Sequence, residues 1–231
     1  TYIAAEKLFN RGNNEEARRS LINYLQTFPE GAFSSNANYY LASIAFSKKE
    51  YDEALQRFQS VIESGDTKFL EEAVARTAEM QYLTKDFPSA LESFKRLQVI
   101  AENPENKLAA RLGVMRCALQ TGQQEEAQLA ANELLKESKL SPEVEAEARY
   151  IRAKAYIDHK QPAKAVEDLK VLSQDTRTVH GAEAKYLLAQ YFYDTKDDKN
   201  AEKILEDFAK NGTPHQYWLA RGFILWADIY I

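Results

Sequence analysis

An alanine recurs along the chain at intervals of 36 to 38 residues, and this repetition constrains the fold more than any other feature. Each of these alanines follows a short polar segment and opens a stretch in which apolar residues lie three or four positions apart, the spacing of an amphipathic helix. Self-similarity at such a period indicates stacked structural repeats. We call these residues the loop alanines; they are Ala17, Ala54, Ala90, Ala127, Ala165 and Ala201.

Each repeat is predicted to contain two helices, helix A before the polar segment and helix B after it. The segments between them are short, as in Lys48-Lys49-Glu50, so the two helices should be antiparallel neighbours. A small residue precedes most loop alanines by 12 positions, which lets helices A and B approach closely. The residues at this position are Ala5, Ala42, Ala78, Ala153 and Ala189, with Met115 as the exception in the fourth repeat, where packing is open to question.

This pattern resembles the tetratricopeptide repeat (TPR), whose small eighth and twentieth positions match Ala42 and Ala54. The resemblance covers essentially the whole chain, although units of 36 to 38 residues are longer than the usual TPR unit. The phrase Phe28-Pro29, followed by Ala37-Asn38-Tyr39-Tyr40-Leu41, is similar to bacterial cell-envelope TPR proteins of the TolA-binding and outer-membrane assembly lipoprotein type. It implies a periplasmic or outer-membrane-associated protein, with the cytoplasm as the alternative.

The resemblance implies an all-α protein, a right-handed α-α superhelix (a TPR-like solenoid) of about six helix-turn-helix repeats plus a final unpaired helix. We expect a single domain over residues 1–231. Because the sequence stops inside an apolar helix, we also expect a fragment of a longer protein. The predicted repeats cover about 1–33, 34–66, 67–104, 105–141, 142–176 and 177–212, with a partial repeat over 213–231.

In this family the A helices line a concave face that commonly receives a partner peptide or helix. Two rows of residues, 15 and 8 positions before each loop alanine, share one face of helix A and are largely aromatic or aliphatic. They suit a peptide-binding groove, but the same rings could instead pack between adjacent A helices as core. The candidate groove residues are Tyr39, Phe46, Tyr82, Arg116, Tyr150, Lys154, Ile157, Tyr186 and Tyr193.

No constellation of residues predicts catalysis, a metal or a cofactor. The histidines His159, His180 and His215 lack a second ligand three or four positions away, and Cys117 lies in the middle of a predicted helix as a buried, inert thiol. The net charge of −5 disfavours nucleic acid as a partner. No window approaches the roughly 18 consecutive apolar residues of a membrane span.

We therefore predict a non-catalytic scaffold for protein–protein interaction, with a protein or peptide as its partner. One alternative is a helical accessory or regulatory region of a larger enzyme or regulator whose catalytic part lies outside this chain. Another is an assembly module that associates with itself through an exposed C-terminal helix at Phe223–Trp226, although packing against a further helix also explains that segment.

Overall fold

The computed structural model describes residues 1–65 and 68–231, and within these ranges it contains thirteen α-helices and no strand. The predicted all-α class is therefore confirmed. The helices are α1 (Tyr2–Asn10), α2 (Asn14–Thr27), α3 (Ser34–Ser47), α4 (Tyr51–Glu63), α5 (Leu70–Leu83), α6 (Phe87–Ile100), α7 (Pro104–Gln120), α8 (Gln124–Leu134), α9 (Pro142–Asp158), α10 (Pro162–Leu172), α11 (Val179–Asp194), α12 (Asp198–Asn211) and α13 (Gln216–Asp228).

The helices form two compact units, Thr1–Thr121 with α1 to α7 and Gly122–Ile231 with α8 to α13. Within each unit every helix packs against the next one in the chain. Odd-numbered helices are the A helices of the predicted repeats, and even-numbered helices are the B helices. Neighbouring A helices also contact each other within a unit: α1 contacts α3, and α5 contacts α7. The expectation of one continuous domain over all repeats stays a prediction.

The repeated small residues lie in the core. All six loop alanines are fully buried, and so are the five alanines 12 positions before them. Met115 is fully buried as well, so the larger side chain of the fourth repeat is accommodated in the core of unit 1. Large apolar residues such as Phe58 and Phe208 fill the space beside these contacts. Burial of the small residues explains why the period in the sequence predicts the helix pairs.

Every turn between helices A and B contains a residue with positive φ, five positions before the loop alanine. In the turn between α5 and α6 of unit 1, for example, the backbone N–H of Lys85 donates to the carbonyl of Tyr82 at 3.0 Å. Glycine adopts this conformation without steric cost, whereas lysine does not. The six residues are Gly12 (φ 80°), Lys49 (62°), Lys85 (64°), Gly122 (76°), Lys160 (58°) and Lys196 (64°).

Replacing Lys85 by glycine should therefore raise the free energy of unfolding. Relief of left-handed strain is worth roughly 1–2 kcal/mol and the extra flexibility of glycine costs about half of that, so we expect a net gain of about 0.5–1 kcal/mol in urea unfolding. Gly122→Ala is the matched reverse change and should lower the stability by a similar amount. A lower stability for Lys85→Gly would contradict this account of the turns.

In the part of the chain that the structure describes, no helix has the length and hydropathy needed to cross a bilayer.

Candidate functional site

Aromatic rings on the A helices pack against rings at the start of the following A helix. Tyr2 stacks on Phe33 with ring centroids 4.5 Å apart, and Tyr39 stacks on Phe69 at 4.0 Å. In unit 2, Tyr150 stacks on the His180 ring at 3.9 Å. We call these three pairs the inter-repeat ring stacks. For Tyr39 and Tyr150, contacts within the protein agree with the packing alternative that the sequence left open.

The polar groups around Tyr150 are also engaged within unit 2. The Tyr150 hydroxyl donates to Glu183 Oε2 at 2.8 Å, and Lys154 Nζ donates to Glu183 Oε1 at 2.9 Å. Glu183 itself is buried, on α11. Burial, followed by the hydrogen bond to Glu183, raises the pKa of the Tyr150 phenol. Two predicted groove residues on α9 thus hold a buried carboxylate of the next A helix.

The other candidate residues of unit 2 contact its hydrophobic clusters. Tyr186 is buried, its hydroxyl donates to Gln190 Oε1 at 2.9 Å, and Arg221 Nη2 donates to that hydroxyl at 2.8 Å. Ile157 and Tyr193 are partly buried and contact separate hydrophobic clusters. The structure therefore brings these side chains into packing contacts rather than into one solvent-facing row.

Unit 1 contains a cleft of about 500 Å³ bordered by α5, α6 and α7, which we call the α5–α7 cleft. Two predicted groove residues, Tyr82 and Arg116, line it, whereas Phe46 lies nearby, with the Arg76 guanidinium 5.3 Å from its ring centroid. The apolar lining includes Ala75, Phe94, Leu97, Ala109, Leu112 and Gly113, and the polar lining consists of Glu72, Arg76, Glu79, Glu105, Asn106 and Arg116.

Small residues explain why space remains in this cleft. Ala75 occupies the register position that carries tyrosine in four other repeats, and a methyl group cannot fill the volume of a ring. Opposite it, Gly113 lets the Phe94 ring lie directly on the backbone of α7, because a Cβ on Gly113 would be 2.4 Å from two atoms of that ring. In the sequence, this cleft is indicated by Ala75 at a position that otherwise carries tyrosine. The prediction of a groove did not use this difference.

Charged side chains along α5 form a connected network at the cleft. Arg76 Nε donates to Glu72 at 2.8 Å, and Arg76 Nη1 donates to Glu79 at 2.8 Å. Burial alone would lower the pKa of the Arg76 guanidinium, but the hydrogen bond to Glu79 and the charge of Glu72 raise it. The cleft thus combines an apolar lining with ion-paired charged side chains along α5.

A carboxylate from α5 fixes the start of α7 and so helps to define the cleft. Glu71 accepts hydrogen bonds from the backbone N–H groups of Glu102 and Asn103 at 3.0 and 3.1 Å, and from Asn106 Nδ2 at 2.8 Å. Burial alone would raise the pKa of the Glu71 carboxyl, but these three hydrogen bonds lower it below its ordinary value.

Glu71→Ala should destabilise the protein by about 1–1.5 kcal/mol, because it removes a charged acceptor from two backbone donors that water can reach. Since the folded-state pKa of Glu71 is lowered, its contribution is present above the pKa of the unfolded chain and is lost as the pH falls through the folded-state value. The difference between wild type and variant in urea unfolding should therefore shrink from pH 7 to pH 3. Glu102→Ala, at an exposed side chain, is the control and should change stability by less than about 0.5 kcal/mol.

The groups with potential chemistry lie apart from the cleft or are buried. Cys117 is fully buried as predicted, and burial raises the pKa of its thiol to about 11. Over residues 1–65 and 68–231 no group of three or more His, Cys, Asp or Glu side chains is arranged to hold a metal ion.

The C-terminal helix α13 exposes only part of the patch predicted at Phe223–Trp226. Phe223 and Ile224 are exposed, but Leu225 is buried and Trp226 packs partly buried against the cluster of Leu205 and Phe208. The four residues do not form one surface because the helical turn directs Leu225 and Trp226 toward α12. The exposed face instead continues through Tyr217 and Tyr230.

Comparison with known proteins identifies the repeat. A tetratricopeptide-repeat family model matches residues 4–68. No curated protein matches the chain in sequence. Among solved structures, the chain is similar to YrrB, described as a TPR protein with an unusual peptide-binding site, with 20% identity over 73% of this chain and 81% of YrrB and a TM-score of 0.56.

Two further structures match over almost the full length. The C-terminal part of a TPR repeat-containing protein from Cytophaga hutchinsonii is 15% identical over 100% of this chain and 88% of its own, with a TM-score of 0.57. The pilF protein of Pseudomonas aeruginosa is 13% identical over 99% of this chain and 94% of its own, with a TM-score of 0.52. Residues 4–68 match the tetratricopeptide-repeat family model, and the chain as a whole has the fold of TPR proteins.

Proposed function

We propose that the chain is an interaction scaffold that binds a segment of a partner protein in the α5–α7 cleft. The observation that carries this proposal is the cleft of about 500 Å³, which joins an apolar lining to a wall of charged residues. Of the nine candidate groove residues, Tyr82 and Arg116 belong to the proposed site. Tyr39, Tyr150 and Tyr186 are assigned to inter-helix packing, because their rings and hydroxyl groups contact other residues of the chain.

A selection of random peptides displayed on phage, with the purified chain as target, tests the proposal. Peptides that bind wild type should bind Ala75→Tyr at least about tenfold more weakly, a loss of about 1.4 kcal/mol, because the new ring fills the cleft. Ala163→Tyr adds the same ring at an exposed position of α10 and should leave the affinity unchanged. Equal affinities for the three proteins, or a selection that enriches no peptide, would contradict the proposal.

A bacterial cell-envelope setting is proposed as well, and it rests on the resemblance of the segment from Phe28 to Leu41 to proteins of that compartment. Fractionation of the source cells, followed by detection with an antibody against this chain, decides between the envelope and the cytoplasm. Recovery in the cytoplasmic fraction alone would overturn the envelope proposal.

Self-association through α13 is a second candidate function, favoured by the exposed face of Tyr217, Phe223, Ile224 and Tyr230. If it occurs, light scattering should show a mass that rises with concentration, and Ile224→Lys should abolish the rise by placing a charge on this face. Ile224 is preferred to Trp226 as the test position because Trp226 packs in the core cluster. A constant monomer mass at every concentration would exclude this candidate.

A further inference from the structure

The α5–α7 cleft occupies the place of an inter-repeat ring stack. In the second repeat the Tyr39 ring stacks on Phe69, with centroids 4.0 Å and planes 8° apart. The next loop alanine follows after 36 residues, and the same shift leads from Tyr39 to Ala75 and from Phe69 to Glu105. Both Ala75 and Glu105 line the cleft. Both rings of the stack are thus replaced at this one place in unit 1.

One aromatic contact of the stack is retained. Tyr39 also meets the Phe58 ring edge-on, with centroids 6.1 Å apart and planes at 65°. The shift of 36 residues leads from Phe58 to Phe94, which lines the cleft and rests against Gly113. A ring entering beside Ala75 would therefore find an aromatic neighbour in the place where Phe58 stands beside Tyr39. Such edge-to-face contacts are favourable beyond the area that they bury.

The charges at the cleft favour a cation next to this ring. Three carboxylates, Glu72, Glu79 and Glu105, and two guanidinium groups, Arg76 and Arg116, line the cleft. Arg76 is bonded to both Glu72 and Glu79, and Glu105 and Arg116 add one charge of each sign, so the lining as a whole retains one negative charge in excess. Glu105 occupies the register position of the second ring of the stack, where a group attached to the incoming ring would face it.

We infer that the partner segment anchors in the α5–α7 cleft through an aromatic side chain with a cationic group beside it. This inference rests on the proposed function, since it names the chemistry of the partner at the same site. The incoming ring takes the place that Tyr39 has in the preceding repeat, against Phe94, and the cation lies against Glu105.

Three small probes separate the ring from the charge. Tyramine carries a phenol ring and a cation, 4-hydroxyphenylacetate carries the same ring and an anion, and butylamine carries a cation without a ring. In ¹⁵N-resolved NMR titrations, tyramine should shift the backbone amide signals of Ala75, Leu112 and Gly113 with a dissociation constant of about millimolar order, as its size allows. The other two probes should bind at least about tenfold more weakly.

Variants of Ala75 and Glu105 test the place of the ring and the place of the cation separately. Ala75→Tyr should abolish the tyramine shifts, whereas Ala163→Tyr should preserve them. Glu105→Gln should reduce the preference for tyramine over 4-hydroxyphenylacetate and leave the ring-dependent shifts in place. If Ala75→Tyr does not fold, Leu112→Trp fills the cleft from α7 and replaces it in the series.

The outcomes distinguish this inference from the function on which it rests. Equal binding by the three probes, or tyramine shifts that persist in Ala75→Tyr, would overturn it. Phage-selected peptides that lose affinity in Ala75→Tyr, combined with no tyramine binding, would also overturn it while the cleft remains the binding site. Failure of both peptides and tyramine at the cleft would overturn the inference together with the proposed function.

Discussion

Asp168→Ala should lower the free energy of unfolding by about 3 kcal/mol, because it breaks a buried ionic cluster. Asp168 is 1% exposed on α10 and joins this helix to α9. Its carboxylate accepts a hydrogen bond from Arg149 Nη1 at 2.9 Å, and two from Arg152 Nε and Nη2 at 2.7 Å each. The hydrogen bond to Asp168 raises the pKa of Arg152. Without the carboxylate, the partly buried Arg152 guanidinium would lose both of these hydrogen bonds, and Arg149 would keep only its bond to Glu145.

Urea unfolding of the variants measures this effect. Asp168→Asn keeps an acceptor but loses the charge, so its stability should lie between that of wild type and that of Asp168→Ala. Glu167→Ala, at the exposed neighbouring position, is the control and should stay within about 0.5 kcal/mol of wild type. A change below about 1 kcal/mol for Asp168→Ala would show that the cluster contributes little to the packing of α9 on α10.

Tyr39→Ala should cost about 2 kcal/mol, below the range for removing a fully buried aromatic side chain, because the Tyr39 ring is only partly buried. The Tyr39 ring contacts both Phe69 and Phe58, and its burial raises the pKa of the phenol. Tyr39→Phe keeps both ring contacts and should cost less than about 1 kcal/mol, which makes it the matched control.

The same pair of variants separates packing from binding at Tyr39. If Tyr39→Ala unfolded at the same urea concentration as wild type but no longer bound the selected peptides, Tyr39 would be a groove residue rather than part of the packing between α3 and α5. If Tyr39→Ala is less stable than wild type but its folded fraction binds the peptides with the same affinity, the result would agree with a packing role for Tyr39 in its stack on Phe69.

The fold could be predicted from the sequence because the residues that determine it are close together in the chain and recur in each repeat. A residue as small as Ala54 returns at the loop position of every repeat, and one as small as Ala42 returns 12 positions earlier in every repeat except the fourth, which has Met115. Gly12 and Gly122 also indicate the turns between helices A and B. The four lysines with positive φ do not, since lysine carries no preference for that conformation.

The binding site could be predicted from the sequence only in part, because it depends on which distant residues pack over a given helix face. Helical spacing places Tyr39 and Tyr150 on one face of helix A, but it does not show that Phe69 and His180, 30 residues later in each case, cover them. Cluster formation by Asp168 likewise depends on the approach of α9 to α10. Ala75 interrupts the row of tyrosines in the sequence. That this interruption leaves a cleft can be recognised only from the positions of α6 and α7 in the structure.

A ¹⁵N-resolved NMR titration of the wild-type chain with a phage-selected peptide tests the central claim most directly. We expect the largest changes in backbone amide signals on α5 and α7, at residues such as Ala75, Arg76, Leu112 and Gly113, and we expect Ala75→Tyr to remove them. Changes centred on the exposed face of α13, or on Tyr150 and Tyr186 in unit 2, would contradict the assignment of the α5–α7 cleft as the binding site.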